Sequence, residues 1–190
     1  SWAEPPLDYS IYYAIDPHAR TPHAVLFCSV NQLQQRFYFY DHFRHCSIAE
    51  LSADIKPIVA GRHVVAVRVD PCAYIEDPVT EDTWANEFWR CGIPVEKATK
   101  ALAQGVIHTQ GELKYKPQAI WFTPLARRTL WEIQRYAWDK ENDKPTDKDD
   151  HMMENLYRLE LLKPRWIEPS KSLPVEDMVI TRPDLDLESL

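Results

Sequence analysis

The chain has 190 residues, enough for one full core, and its 45% hydrophobic and 12% aromatic content excludes disorder over most of its length. Twenty-two Lys and Arg against 29 Asp and Glu leave a net charge of -7, which argues against a coating protein built on phosphate contacts but permits an acidic site that holds metal ions. With no apolar run of the roughly 18 to 20 residues a membrane span needs, no charged-then-apolar leader and no metal-type spacing among four cysteines, a soluble, unexported protein with reduced thiols is expected.

The opening Ser1-Trp-Ala-Glu-Pro-Pro6 reads as linker and predicts a domain cut from a longer protein. Ile11-Tyr-Tyr-Ala-Ile15 is an apolar run closed by Asp16-Pro17, which predicts a strand buried on both faces. Residues 23–30 and 36–40 predict two more strands, and the short polar connector between them makes a hairpin, so the first three strands form a meander. Ser47-Ile-Ala-Glu50 is a capping box, in which the hydroxyl takes an amide of the first turn while Glu50 reaches back. The helix it starts carries Ile48, Leu51 and Ile55 on one stripe, with Pro57 in its last turn and Gly61 at its stop. Residues 64–69 are rich in β-branched side chains and end, like the first strand, in an Asp-Pro pair, Asp70-Pro71.

Thr80-Glu-Asp predicts a helix start with acids in the first turn, Trp84, Phe88 and Trp89 facing inward, and Gly92 closing it. Val95, Ala98, Leu102, Val106 and Leu113 predict a longer helix whose other side carries Lys97, Lys100, Gln104 and His108. After a short strand at 119–122, Thr123-Pro124 is expected to cap a helix with Ala126, Leu130, Ile133 and Ala137 on one face. Residues 138–149 read as a charged loop and 150–162 as a last amphipathic helix anchored by Met152, Leu156 and Leu159. The aromatic residues of 131–138 are assigned to packing, and the cysteines are read as small buried hydrophobes. The domain is placed at 1–162, and residues 163–190 are read as a Pro-rich tail that orders on contact or stays mobile.

A helical crossover joins the meander to the parallel strand at 64–69, which can then lie beside the first strand, about 4.8 Å away. The two Asp-Pro stops then bring Asp16 and Asp70 together at carboxyl ends, where open α/β sheets place their sites. Asp-Pro is also ordinary turn chemistry, but its recurrence on two neighbouring strands favours a site. Two adjacent carboxylates repel each other unless divalent ions such as Mg2+ or Mn2+ keep both ionised. On the last helix Asp150 and Glu154 share a face, with His151 three residues before Glu154, so this edge completes a cage of three or four oxygens for two ions. Such a cage points to metal-dependent phosphodiester hydrolysis.

Further candidates are less specific. His151 is a candidate ligand or orienting group; His18 and His23 flank Arg20, where they could meet phosphate or metal, although loop histidines are more often plain surface groups. Lys97, Lys100, Arg127 and Arg128 could form a DNA-facing strip or merely solvated helix faces.

Tyr13-Ala-Ile-Asp-Pro-His-Ala-Arg-Thr-Pro-His-Ala24, the ending Val69-Asp70-Pro71, Trp131-Glu-Ile-Gln-Arg-Tyr-Ala-Trp138 and Asp150-His-Met-Met-Glu-Asn-Leu-Tyr-Arg158 resemble the nuclease domain of tailed-phage large terminase subunits. The resemblance spans roughly residues 8–162, and the closing Asp-His-x-x-acid-x-x-x-Arg pattern is its most specific part. It implies a ribonuclease-H-like fold with a mixed five-stranded sheet flanked by helices, two Mg2+ or Mn2+ ions, and cutting of concatemeric viral double-stranded DNA during packaging. It also implies a portal protein and a small terminase subunit as partners, the host cytoplasm as location, and a monomeric isolated domain away from membranes. The family's first acid falls on Asp16, which would bridge both ions, and its second on Asp70. Its last, usually Asp, falls on Glu154, while some relatives use the residue one turn earlier, here Asp150, so the third ligand stays open. The family's ATPase half is expected to lie outside this chain, which has no GxxxxGK[ST]. Other expectations consistent with the residues are a junction resolvase, an RNA-strand cutter, or an inactive module docking on a portal. Restraint of cutting is expected from residues 138–149 or from the tail.

Overall fold

A computed structural model describes residues 4–136, 138–139, 144–145 and 149–169. The chain begins with a meander of β1 (Ser10–Asp16), β2 (His23–Val30) and β3 (Arg36–Arg44), in which β1 pairs antiparallel with β2 and β2 antiparallel with β3. Helix α1 (Ile48–Val59) returns the chain to β4 (His63–Val69), which lies parallel to β1 with Val69 opposite Ile15. The α1 cap is the expected box: Ser47 accepts the Glu50 amide, and the Glu50 carboxylate accepts the Ser47 amide. A short 310 turn (Pro71–Tyr74) follows β4, and then come α2 (Trp84–Arg90), β5 (Glu96–Lys97), α3 (Leu102–Tyr115), β6 (Ile120–Phe122) and α4 (Arg127–Ile133). A small antiparallel ribbon, β7 (Trp138–Asp139) with β8 (Lys144–Pro145), precedes α5 (His151–Leu162).

The main sheet has the order β5-β4-β1-β2-β3-β6, with β3–β6 and β4–β5 both parallel. Every residue of β1 and β2 is buried, as their unbroken apolar runs require of central strands covered on both faces. Alternation then sorts the side chains. Ile11, Tyr13 and Ile15 pack with Ile48, Leu51 and Ile55 of α1 and Phe88 of α2, whereas Tyr12 and Ala14 face Val106 of α3 and Met152, Leu156 and Leu159 of α5. Each fully buried side chain of this size contributes about 1.5–3 kcal/mol. The mixed α/β, ribonuclease-H-like architecture is therefore as expected, with a sixth strand added at one edge.

That sixth strand corrects the helix expected from Val95 onward. Residues 96–97 extend along β4, the Ala98 amide donates to the Val69 carbonyl, and α3 starts only at Leu102, because this edge offers a hydrogen-bond ladder that helical spacing cannot reveal. Helix α2 begins at Trp84 rather than near Thr80: Glu81 is left-handed, and the Thr83 hydroxyl caps the Asn86 amide. Phe88 is fully buried as expected, but Trp89 is 57% exposed and its indole donates to the Val95 carbonyl. Thr123 does not cap α4; its hydroxyl donates to the Phe39 carbonyl and so ties the segment to β3. Helix α4 ends at Ile133, and Ala137 lies outside the described residues.

The described start of the tail runs beside the N-terminal end of β1. Lys163 turns left-handed to end α5, the Tyr12 hydroxyl donates to the Arg165 carbonyl, and the Trp166 indole donates to the Asp8 carbonyl. Restraint by the loop or the tail concerns segments that lie largely outside the described residues. The four cysteines are free, and among the described residues no helix is long and apolar enough to cross a membrane.

Candidate metal centre

Asp16 is the last residue of β1 and Asp70 the first after β4. Because Val69 pairs with Ile15 and the Asp70 amide donates to the Ile15 carbonyl, the two acids stand side by side. Pro71 opens the 310 turn, and Asp70 caps it by accepting the Cys72 amide at 2.7 Å. Turn chemistry and site geometry thus coexist at the same residue.

Helix α5 crosses over these strand ends. Its first turn is held by Glu132 of α4, a fully buried carboxylate that accepts the Met152 amide at 2.8 Å, the Met153 amide at 3.2 Å and the Arg128 guanidinium at 2.8 Å. That anchor sets Glu154 over the aspartates, and ligand oxygens of Asp16, Asp70 and Glu154 lie within 4.8 Å of one another. A second group shares Asp16: Nε2 of His18 lies 2.7 Å, and Nδ1 of His151 3.1 Å, from Asp16 Oδ2. Asp150 occupies the N-cap position of α5 and belongs to neither group.

Two residues in the site escaped the sequence reading as functional groups. Arg158, one turn after Glu154, donates to Asp70 and Glu154 and lies 3.5 Å from Asp16 Oδ1, so one guanidinium bridges all three acids. Asn155 accepts from Arg158 at 3.1 Å while its own amide donates to the Ala24 carbonyl, which aims the guanidinium. The signals for Arg158 in the sequence were its place at the end of the closing Asp-His-x-x-acid-x-x-x-Arg pattern and its i, i+4 spacing from Glu154, which surface helix pairs share.

The acids titrate apart. Burial by itself would raise the Asp16 carboxyl, but hydrogen bonds from His151 and His18 and the charge of Arg158 outweigh it and hold Asp16 well below the usual carboxylate range. Glu154 moves the other way, pushed up by burial and by the charges of Asp16, Asp150 and Asp70 against the pull of Arg158. His151 is raised by its hydrogen bond to Asp16. Replacing Arg158 with Met leaves three crowded carboxylates unbridged. The variant is expected to lose about 3 kcal/mol of stability in urea unfolding with chelator present, and a loss below about 1 kcal/mol would show the bridge to be energetically idle.

Beside the acids opens a cleft of about 270 Å³ whose lining includes Asp70, Glu154, Arg158 and Lys100. The other expected cations are dispersed. Lys97 lies over the Tyr74 ring, and Arg20 and Arg127 are exposed. Arg128 is engaged by Glu132 and Asp149 and stacks on Trp131 and Phe43. His23 is buried, not a surface group; it accepts the His18 amide and contacts the Cys46 carbonyl.

The mixed six-stranded sheet flanked by helices, with acids at the ends of two neighbouring parallel strands, has a ribonuclease-H-like fold. Solved structures with a similar fold include phage terminases. The P22 large terminase nuclease domain matches with a TM-score of 0.69 and 13% identity, over 86% of this chain and 87% of that one. A large terminase from a thermophilic bacteriophage matches with a TM-score of 0.69 and 18% identity, over 83% of this chain and 40% of that one. The large terminase nuclease of thermophilic phage G20c matches with a TM-score of 0.55 and 12% identity, over 79% and 80%. The chain thus spans about two fifths of the second of these proteins. No protein-family model and no curated protein matches the chain. At these identities the likeness is one of fold, and at that level it bears out the resemblance carried by the residues.

Proposed function

We propose that this chain is the nuclease part of a phage large terminase and cuts concatemeric double-stranded viral DNA in a divalent-metal-dependent reaction. The observation that carries this is the convergence of Asp16, Asp70 and Glu154 within 4.8 Å, from two strand ends and a helix, on a fold shared with terminase nuclease domains. The donor set fits the ions the fold implies: three carboxylates crowded into a partly buried pocket suit hard, oxygen-seeking dications such as Mg2+ or Mn2+, and here a guanidinium already offsets their charge. Asp16 would be shared between two ions, Asp70 would hold one, and Glu154, which lies in the cluster where Asp150 does not, would hold the other.

Bound there, such ions supply Lewis-acid polarisation of a phosphodiester and a nucleophilic water at neutral pH. The chain's own groups do the rest. Asp16 stays ionised because His18, His151 and Arg158 surround it. Arg158 and Lys100 line the cleft and face an incoming phosphate with positive charge, and the exposed Arg20, Lys97 and Arg127 add backbone contacts farther out. The chain's net negative charge makes these contacts local rather than a coat, which suits an enzyme that engages DNA at one cut. Portal protein and small terminase subunit are the partners this role entails.

The test is nicking of supercoiled plasmid with Mn2+ and with chelator. Cutting should need the ion and should fall on the order of 10²–10³-fold in Asp70→Ala, equivalent to about 3–4 kcal/mol of barrier; an unchanged rate in that variant would refute the assignment. A strong preference for four-way junctions or RNA–DNA hybrids over linear duplex would redirect the reading to a resolvase or an RNA-strand cutter. Neither cutting nor Mn2+ binding at millimolar concentration would mean a docking module.

A further inference from the structure

We propose that Tyr74, Trp89 and Lys97 form a stacking platform for an unpaired base of the DNA strand beside the cut. This deepens the nuclease reading and rests on it for DNA as the ligand. Trp89 is 57% and Tyr74 37% exposed, although rings of this size gain most from burial. Their polar ends hold them there. The Trp89 indole and the Tyr74 hydroxyl both donate to the carbonyl of the buried Val95, each at 3.1 Å. One acceptor, through its two lone pairs, thus fixes two rings from different elements, the 310 turn after β4 and helix α2, and leaves much of each in solvent. Rigid aromatic side chains of this kind offer contact area at little entropic cost.

The platform stands close to the acids. Tyr74 follows Asp70 by four residues through the 310 turn, roughly 8 Å of rise, or two to three stacked nucleotides at about 3.4 Å each. Lys97 pairs with Val69, the neighbour of Asp70, and sets its Nζ 5.6 Å from the centre of the Tyr74 ring. With Arg68, Thr99 and Arg158, Lys97 also lines a second cleft of about 270 Å³. Thr99 and Arg158 line both this cleft and the one that holds Asp70, Glu154 and Lys100. A run of cations therefore leads from the acid cluster to the rings.

That combination has a specific chemical use. Cations beside a backbone path with aromatic faces along it suit an unpaired strand, because the phosphates meet the charges and every base has a π face to stack. A blunt duplex offers only its phosphates, since its base faces are stacked on one another. The ligand is a base that has left the stack, as at a frayed or newly cut end.

The experiment uses the full 190-residue chain with chelator present, so that nothing is cut, and follows the anisotropy of fluorescein-labelled duplexes at low salt. One duplex is blunt, one carries a short thymine overhang of either polarity, and one carries the same overhang without its bases. On at least one polarity, wild type should bind the thymine overhang roughly 5- to 100-fold more tightly than the abasic one, the scale of a stacked base. The double variant Tyr74→Leu, Trp89→Leu should lose that preference while its affinity for the blunt duplex stays within about threefold. Tyr74→Phe keeps the ring and should keep the preference. Lys97→Gln should weaken all three probes and flatten the salt dependence. If the double variant does not fold, the thymine and abasic comparison on wild type carries the test by itself. Equal binding of the two overhangs by wild type, an equal loss for overhang and blunt duplex in the double variant, or binding of none of the probes each overturns the proposal. Plasmid nicking with Mn2+ keeps the two readings apart: cutting without a base preference removes this inference alone, and base-dependent binding without cutting removes the nuclease reading alone.

Discussion

Asp16→Asn is expected to lower metal-dependent nicking by at least about 10³-fold, near 4 kcal/mol of barrier, with the far-ultraviolet circular dichroism unchanged. The effect should exceed that of Asp70→Ala because Asp16 belongs to both ligand groups, and its amide replacement keeps the shape while removing the charge they share. A pH signature accompanies it. The folded-state pKa of Asp16 is depressed, so its charge stabilises the protein above the ordinary Asp value near 3.9 and that contribution is lost as pH falls through the lower folded value. The Asn variant lacks this contribution at every pH, so acid unfolding followed with and without the substitution should show a shallower acid limb in the variant. Residual nicking within tenfold of wild type would place the reaction elsewhere.

Glu132→Ala is expected to cost about 4 kcal/mol of stability, the scale for breaking a buried pair by removing one partner. The carboxylate is fully buried, and its loss strands the buried Met152 and Met153 amides and takes one of two acid partners from the part-exposed Arg128 guanidinium, which keeps Asp149. Glu132→Gln should cost less, since an amide oxygen still accepts a helix amide although the ion pair is gone. Because the same turn carries His151 and Glu154, nicking should fall in the Ala variant even at temperatures where it remains folded. Urea unfolding reads the first effect and plasmid nicking the second; a stability loss below about 1 kcal/mol would show that α5 does not depend on this cap.

Local chemistry announced much of the site. Asp16-Pro17 and Asp70-Pro71 each end a strand because proline cannot extend the ladder, and the β-branched run of β4 needs a place beside an equally apolar strand, so their meeting followed from pattern and crossover alone. The face of α5 was legible for the same reason, since Met152, Leu156 and Leu159 must be buried and Glu154 then turns toward the strand ends. That Glu154 rather than Asp150 stands in the acid cluster was not legible. Both lie on one helical edge, and only the height of α5 over the sheet, set by Glu132, brings one of them to the aspartates.

Other elements were misread where a distant partner outweighed local preference. Val95 and Ala98 carry helical spacing, yet the open edge of β4 takes the backbone hydrogen bonds of this segment first. Trp89 looks like core, yet its indole finds the Val95 carbonyl and leaves the ring exposed. Arg128 looks like a free cation, yet Glu132, Asp149 and two aromatic rings claim it.

What the amino-acid order determined by itself was therefore the elements with strong periodicity and their stops: the meander, the capped α1, the Asp-ended strands and the amphipathic α5. Those features depend on interactions within a few residues or on whole faces that must leave water, and both can be read along a single chain. Tertiary structure alone decided that Arg158 spans three acids, that Asn155 aims it, and that His18 and His151, 133 positions apart, meet on one oxygen of Asp16. Contacts of this kind are fixed by distances of about 3 Å between side chains on different elements, and no spacing along the chain encodes them.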